Sequence, residues 1–440
     1  MSYREIASRG TLAWAVVAVG ARMPVAMAPL AVVFLVRERE GGYALGAILA
    51  AVYVIGEIAG AAFLGMRMRA ERARPQLAVG LGVGAVGFAA LGALPDAPAV
   101  ALAACAFVAG GAPGAAPGGL RALLNTLVPE RAVAQALSAE SVLVFGIWAL
   151  APAAVTGLAL GVAPGLPLLL AAALMGLSVA GLWLLPVGWK ADESDRDGEP
   201  MLRIMARAWP VYVTGAAGLS LLALAELVLP ALLEQRGISV GMSGPLLAGL
   251  AVSSAAGSFV YGLRTWPGRL RTQSLVCMLG VSGCLAVVAV LPTATWLAVG
   301  LACAGFLQAG SMLTRNLTLR EVLPPSALAA GYSLMYAAVG AGYAVSGSMA
   351  GGLLSVTTPS TAILAGVALT VVLTLVGTLA EVRPGPVGSG PVRGGGLAAA
   401  SGGGADPVGS EGSGGGEAGP AGEAEPVGGA VESPRPGQRR

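Results

Sequence analysis

Residues 189–208 read WKADESDRDGEPMLRIMARA, the one long charged segment between extended apolar runs in a chain of 440 residues. Over the whole chain, 56% of the residues are hydrophobic and 11% are charged, whereas soluble domains carry about 25% charged residues. Too few charges are available to cover a water-exposed surface of this size. The composition therefore disfavours a soluble globular enzyme and predicts a helical membrane protein.

Twelve apolar runs are long enough to cross about 30 Å of hydrocarbon, which takes about 20 helical residues. They cover residues 11–36, 43–66, 76–95, 98–120, 139–161, 166–188, 209–232, 244–263, 273–292, 295–314, 328–354 and 360–381. The runs are apolar on all faces and do not alternate, so helices rather than barrel strands are predicted. Six runs precede the charged segment and six follow it.

A weak internal repeat relates the two sets of six. At a shift of 195 residues, Arg69 meets Arg264 and Pro129 meets Pro324, each pair in corresponding loops. The predicted fold class is therefore all-α integral membrane, with twelve transmembrane helices in two pseudo-symmetric six-helix bundles. The predicted segments are a cytoplasmic N-terminus at 1–10, bundles at 11–188 and 209–382, a cytoplasmic linker at 189–208 and a tail at 383–440.

The tail has a composition unlike the rest of the chain. Residues 384–440 hold 19 of the 67 glycines, several prolines and almost nothing that could form a core. We expect this segment to be disordered in the cytoplasm.

The basic residues predict the orientation. If the N-terminus is cytoplasmic, 22 of the 26 Lys and Arg residues lie on the inner side. The outer loops then hold only Arg37, Arg39 and Arg236, and Arg22 lies within a span. We therefore expect a multi-pass protein of a bacterial inner membrane with both termini in the cytoplasm.

Several function classes lack the residues that they need. The chain has no His, and its four cysteines lie inside apolar runs, so we expect no metal site and no cofactor. The net charge of +3 is not gathered into a patch, which argues against a nucleic-acid partner. No Walker-type Gly-Lys-Ser/Thr sequence is present, so an ion gradient would supply the energy for any transport.

Charges inside the predicted spans are candidates for the mechanism. Counted from the inner ends of their spans, Arg22 and Glu57 lie about 16 Å and about 14 Å deep, at about 1.5 Å per residue. An unpaired charge at this depth is costly, so the two could form a proton switch or a permanent salt bridge; the remaining alternative is that they make no contact with each other. Glu226, about 25 Å from the inner side by the same rise, could couple protons or meet outer water.

Prolines and glycines predict features of helix packing. Pro113 and Pro117 predict a kink in the fourth span. Glycines at four-residue spacing predict close helix contacts in several spans. These stripes are Gly56 with Gly60, Gly80 with Gly84, Gly110 with Gly114 and Gly118, and Gly347 with Gly351.

The loop after the second span reads Gly65-Met-Arg67-Met-Arg69-Ala-Glu71-Arg72-Ala73-Arg74. Together with twelve spans, the charged middle segment and the repeat, it resembles the major facilitator superfamily over residues 11–382. The family's loop has Gly, three residues, an acid, Arg, one residue, Gly and Arg. Here Glu71, Arg72 and Arg74 match its charged part, but Gly65 is displaced and Ala73 replaces a Gly.

The resemblance implies two bundles around a central cavity that opens to each side in turn. It also implies a cytoplasmic gate formed by Glu71, Arg72, Arg74 and Arg121, although these arginines could instead serve only to set topology. Candidate cavity residues are Tyr53, Trp148, Phe306, Gln308 and Tyr336, each of which could equally face lipid. The span-5 pattern of drug/proton antiporters is only approximated, at Ala151-Pro152.

The predicted function is that of a secondary-active transporter, a monomer in the bilayer that exports a small organic compound such as a drug, antibiotic or metabolite in exchange for protons. Uptake of a neutral nutrient is the alternative. A membrane-embedded enzyme is disfavoured, because the Asp residues lie in loops, linker and tail and form no paired cluster within the membrane. A non-transporting sensor on the same fold is not excluded by any residue.

Overall fold

The computed structural model describes residues 6–40, 42–185 and 199–381. Fourteen α-helices and several short 3₁₀ turns make up most of these residues. The helices are α1 Arg9–Val36, α2 Gly42–Met66, α3 Ala73–Ala93, α4 Ala99–Gly111, α5 Ala116–Leu127, α6 Val133–Gly161, α7 Leu166–Gly181, α8 Met201–Arg207, α9 Trp209–Gln235, α10 Ser243–Leu263, α11 Leu270–Val290, α12 Ala294–Val322, α13 Leu328–Leu354 and α14 Pro359–Ala380. The predicted tail and the first half of the predicted linker, residues 189–198, lie outside the described residues.

The prediction of twelve spans is confirmed. Twelve helical segments are long and apolar enough to cross a membrane, with α4 and α5 together forming the fourth. The remaining helix, α8, lies within the predicted linker and contains two arginines among its apolar residues. Its last residue, Arg207, donates hydrogen bonds of 2.7 and 2.9 Å to the carboxylate of Glu199.

Short connections join successive spans, so the helices cross in alternating directions. The loops after α2, α5, α10 and α12 lie on the side where α1 begins, and most of the described arginines lie on that side. We call it the arginine-rich side and its counterpart the opposite side. We call α1–α7 the first half and α9–α14 the second half.

The predicted kink in the fourth span is present as a break between α4 and α5. The helix stops at Gly111 and resumes at Ala116, with Pro113 in the gap and Pro117 at the start of α5. The broken span packs closely on α2, because a Cβ at Gly60 would overlap the carbonyl oxygen of Gly111. Proline removes a helical hydrogen bond here, and glycine allows the two backbones to touch.

The internal repeat is visible in corresponding turns. Pro129 precedes the 3₁₀ turn Glu130–Ala132 that leads into α6, and Pro324 precedes the turn Pro325–Ala327 that leads into α13. Proline disfavours the helical conformation in the residue before it, so each sequence ends one span there and re-enters the membrane after one turn.

Buried apolar residues form two separate cores. The first core includes residues of the whole first half and only the arginine-rich ends of the second half, such as Leu313, Leu328 and Tyr332. The second core consists of residues of the second half alone, such as Leu285 and Leu301. The halves therefore share a core on the arginine-rich side.

Several helices extend further than the apolar runs predict, and the fifth and tenth spans show the reason. The fifth span begins at Val133 instead of 139, and the tenth ends at Val322 instead of 314. The added turns carry polar side chains that are buried in the protein, so they continue the helix without contacting lipid. These buried residues are Gln135, Ser138, Arg315, Asn316 and Thr318.

Candidate functional site

The two halves meet along a seam in which α2, α5 and α6 contact α10, α12 and α13. Within the described residues, the side-chain hydrogen bonds across the seam lie on the arginine-rich side or near the middle of the helices. They join Arg121 to Asn316, Asn125 to Tyr332, Ser138 to Ser258, Ser333 to Ala115, Tyr336 to Glu57 and Arg320 to Glu130.

Serine and glycine bring the backbones of the halves together at this seam. Ser333 on α13 packs against Gly65 and Gly118, where a Cβ on either glycine would overlap it. At the position 195 residues earlier, the hydroxyl of Ser138 on α6 donates to the carbonyl of Ser258 on α10. The repeat thus supplies one serine contact on each flank of the seam.

A buried cluster of three charges lies in the first half beside the seam. Glu140 on α6 is 1% exposed and accepts hydrogen bonds from both Arg22 on α1 and Arg121 on α5, the latter at 2.8 Å. Arg22 also donates to the carbonyl of Pro117 at 3.3 Å and lies 5.9 Å from the ring centroid of Trp14. These contacts compensate charges that would be costly in an apolar interior.

The sequence-based pairing of Arg22 with Glu57 is wrong, because the ion-pair partner of Arg22 is Glu140. Glu57 on α2 instead contacts Tyr336 on α13 of the other half. Sequence reasoning missed Glu140, although a charge two residues inside a predicted span was the signal that could have identified it.

Glu57 forms a contact that crosses the seam. Its Oε1 accepts a hydrogen bond of 2.6 Å from the hydroxyl of Tyr336 on α13, and Glu57 itself is only partly buried. Tyr336 lies within electrostatic range of Arg22 and Arg121 as well. The hydroxyl of Tyr53, on the same helix as Glu57, is buried without a hydrogen-bond partner in the described part of the chain.

The five predicted cavity residues do not form one cluster. Tyr53 and Tyr336 lie near Glu57, whereas Gln308 is buried inside the second half near Gly218. Neither amide atom of Gln308 has a hydrogen-bond partner among the described residues. Trp148 and Phe306 are 53% and 36% exposed, so their role as cavity or lipid-facing residues stays a prediction.

Glu226 lies in the second half, away from the seam bonds. It is partly buried on α9, and Tyr343 on α13 is within its electrostatic range. Among the described residues it forms no ion pair. A proton-coupling role for Glu226 stays a prediction.

Of the four predicted gate residues, only Arg121 contacts the other half. Its NH1 donates to Asn316 Oδ1 at 3.2 Å, and its guanidinium lies 5.7 Å from the ring centroid of Tyr332. Arg74 donates to the carbonyl of Leu185 within the first half. Glu71 and Arg72 are exposed in the loop, and within the described ranges neither crosses the seam.

The second half has its own buried ion pair on the arginine-rich side. Arg315 NH1 lies 2.5 Å from Glu381 Oε1 and also donates to the hydroxyl of Thr214 at 3.1 Å. All partners in this group belong to the second half, so the pair joins α9 and α12 to the end of α14 without crossing the seam.

No group of three or more Cys, Asp or Glu side chains is placed to hold a metal ion in the portions that the structure describes. The cysteines Cys105, Cys277 and Cys284 are partly buried and Cys303 is exposed, and all four are free thiols. They lie on transmembrane helices and take no part in the seam bonds described above.

No family model matches the chain, and no curated protein matches it in sequence. Solved structures do match in fold. The fucose:proton symporter of E. coli aligns at 13% identity and a TM-score of 0.65, over 85% of this chain and 97% of that one. The human organic anion transporter MFSD10 aligns at 14% identity and a TM-score of 0.60, over 86% of this chain and 100% of that one.

A bacterial homologue of the iron transporter ferroportin, in an outward-facing state, is also similar. It aligns at 14% identity and a TM-score of 0.64, over 84% of this chain and 96% of that one. At such low identity these likenesses concern the fold, and the residues of the seam have to be interpreted from their own chemistry.

Proposed function

We propose that this chain, whose twelve spans adopt the fold of major facilitator superfamily transporters, is a secondary-active transporter that exports a small organic compound in exchange for protons. The observation that carries the proposal is the seam between the halves. The halves share a core on the arginine-rich side only, and the ionisable carboxylate of Glu57 accepts a hydrogen bond across the seam. We take the arginine-rich side as cytoplasmic, as the distribution of basic residues predicts.

Alternating access requires contacts that can open without disrupting either half. The seam consists of single hydrogen bonds and of serine–glycine contacts, whereas the charge cluster around Glu140 lies within the first half. Within the described residues, Arg121 connects that cluster to the second half through its bond to Asn316 and its contact with the ring of Tyr332. Separation of the seam would therefore leave Arg22 and Glu140 paired, which makes them a static pair rather than the proton switch.

Glu57 is the better candidate for the switch, since its bond to Tyr336 must break when α2 and α13 separate. A hydrogen bond to a charged carboxylate stabilises a structure by about 1.5–3 kcal/mol, against about 0.5–1.5 kcal/mol for a neutral pair. Protonation of Glu57 from the opposite side, where the halves share no core, would thus weaken the seam. Proton binding would favour opening on the arginine-rich side, and proton release there would favour closure around bound substrate.

The charges near the middle of the molecule favour particular substrates. Glu57 and Glu226 are carboxylates with no cationic partner in the described ion pairs, while Arg22 and Arg121 are compensated by Glu140. Two uncompensated acids suit a neutral or cationic organic compound and oppose an anionic one. Uptake of a neutral nutrient is the second candidate, favoured by the structural likeness to a fucose:proton symporter.

The experiment uses inverted membrane vesicles, in which the cytoplasmic side faces the medium, with the organic cation ethidium as the probe. With an acidic lumen, we expect the wild-type protein to accumulate ethidium in the vesicles. The Glu57→Gln variant should lose this pH-driven accumulation while still exchanging ethidium down its own gradient. The matched control is Glu234→Gln, which changes an exposed carboxylate at the end of α9.

Tyr336→Phe provides a graded version of the same test. It removes the donor to Glu57 but leaves the carboxylate in place, so coupled transport should persist with an altered pH dependence. Full pH-driven accumulation by Glu57→Gln would reject the proton-switch proposal. Fucose accumulation driven by protons moving in the same direction as the sugar would favour uptake instead.

A further inference from the structure

A cavity of about 430 Å³ lies in the seam at its arginine-rich end. The end of α5 forms one wall, and the first residue of α11, the end of α12 and the start of α13 form the other. Glu57 and Glu226 do not line it, so the cavity is separate from the region proposed for transport. Nothing in the proposed transport cycle requires an open volume at this place.

Asn125, whose side chain has an acceptor without a donor, lines this cavity. Asn125 is 9% exposed, and its Nδ2 donates to the hydroxyl of Tyr332 at 3.0 Å. Its Oδ1 has no hydrogen-bond partner in the described part of the chain. Leaving a buried acceptor unpaired costs about 1–3 kcal/mol, so a ligand that donates a hydrogen bond here would recover that cost.

The residues that line the cavity carry a net negative charge. Glu130 and Glu321 both line it, and the single guanidinium among the lining residues belongs to Arg320. Arg320 lies 3.4 Å from Glu130, in a pair that is largely exposed and therefore weak. Leucine side chains at 270, 317 and 328 supply an apolar wall.

We propose that this cavity binds a monocationic primary amine with an apolar body. The ammonium group would donate to Asn125 Oδ1 and lie close to the carboxylates of Glu130 and Glu321. The apolar body would pack on the leucine wall and replace water there. A primary ammonium has three N–H donors and no acceptor, which matches one orphan acceptor beside two carboxylates.

The position of the cavity gives its ligand a regulatory effect. Because each half supplies one wall, the complete site exists only while the seam is closed. A ligand that binds one conformation stabilises it in proportion to its differential affinity. The amine would therefore hold the protein closed on the arginine-rich side and inhibit transport, an effect that rests on the proposed function, whereas the binding itself does not.

Binding is tested with the purified full-length protein in lipid nanodiscs, using tryptamine as the probe and tryptophol as its neutral counterpart. We expect tryptamine to bind at least about tenfold more tightly, which corresponds to about 1.4 kcal/mol. Glu321→Gln, which changes an exposed carboxylate, should weaken tryptamine binding by up to about fivefold. Leu270→Trp, which fills the cavity from its rim, should abolish it.

Two control variants distinguish this cavity from other places. Glu234→Gln removes an exposed carboxylate on the opposite side, and Glu226→Gln changes a carboxylate of the proposed transport region that forms none of the seam bonds; both should bind tryptamine as the wild type does. Equal binding of tryptamine and tryptophol would overturn the proposal, as would unchanged binding by both Glu321→Gln and Leu270→Trp. Loss of binding in Glu226→Gln would place the amine in the transport region and would equally overturn it.

Discussion

The arginine-rich side and the opposite side of the molecule differ in how the two halves meet. On the arginine-rich side, one apolar core contains residues of both halves, and hydrogen bonds from Arg121, Asn125 and Ser138 cross between them. On the opposite side, the second half has a core of its own. The difference indicates that the halves adhere where they share an apolar core and where polar and small residues form contacts between them.

The largest loss of stability is expected when the charge cluster of Arg22, Arg121 and Glu140, which lies in the first half beside the seam, is changed. Glu140→Gln would leave Arg22 and Arg121 buried without a compensating charge. Removing one partner of a buried ion pair typically costs about 3–5 kcal/mol. We expect a lower thermal unfolding temperature in detergent and weaker attachment of Arg121 to Asn316.

Restoring the charge balance is the control for this variant. The double variant Arg22→Gln/Glu140→Gln removes one charge of each sign and should recover part of the lost stability. If Glu140→Gln unfolds at the wild-type temperature, the cluster does not support the arginine-rich side as we describe.

A smaller destabilisation, confined to the closed state, is expected when a methyl group is added in the seam. In Gly118→Ala the new Cβ would overlap backbone and side-chain atoms of Ser333 across the seam. Overpacking of this kind costs about 1–3 kcal/mol, and here it would act against the closed state only. The measurement is modification of an Ala122→Cys reporter, in a background without the native cysteines, by a membrane-impermeant thiol reagent; its rate should rise several-fold.

Gly347→Ala is the matched control, because a Cβ at Gly347 meets no atom within 4 Å. Both variants make the same change on a transmembrane helix, but only one lies in the seam. Equal modification rates in the two variants would mean that the contact at Ser333 does not control closure.

The smallest effect is expected at the exposed rim. The ion pair of Arg320 with Glu130 crosses the seam at 3.4 Å, but the side chain of Glu130 is 86% exposed. Exposed pairs contribute about 0–1 kcal/mol, because water and salt screen them. Glu130→Gln should therefore leave the Ala122→Cys modification rate close to that of the reporter alone. A several-fold rise would show that surface charge holds the halves together.

The sequence predicted the fold well, because crossing a bilayer imposes a minimum length of apolar helix. The number of spans, the break at Pro113 and the duplicated turns after Pro129 and Pro324 all follow from local rules. The start of α6 and the end of α12 were predicted wrongly for one reason. A scan for apolar residues stops at Ser138 and at Arg315, whereas these polar residues lie buried between helices.

The candidate site was predicted less well. Arg22 and Glu57 were identified as unusual for a membrane span and Arg121 as a candidate gate residue, but their partners were not. The depth of a residue in the membrane can be predicted by counting along its helix. The direction in which its side chain points can be predicted only if polar and apolar residues lie on different faces of that helix. The apolar helices of this chain lack such a pattern, so the pairing of Arg22 with Glu140 could not be derived.

The sequence alone determined that the chain forms twelve membrane-spanning helices, since hydrocarbon leaves a backbone of this composition few other ways to satisfy its hydrogen bonds. Only the tertiary structure decided which side chains meet: Arg22 with Glu140 in the first half, and Glu57 with Tyr336 between the halves. The reason is physical: the bilayer acts on each helix separately, whereas rotation and contact depend on the packing of all the helices together.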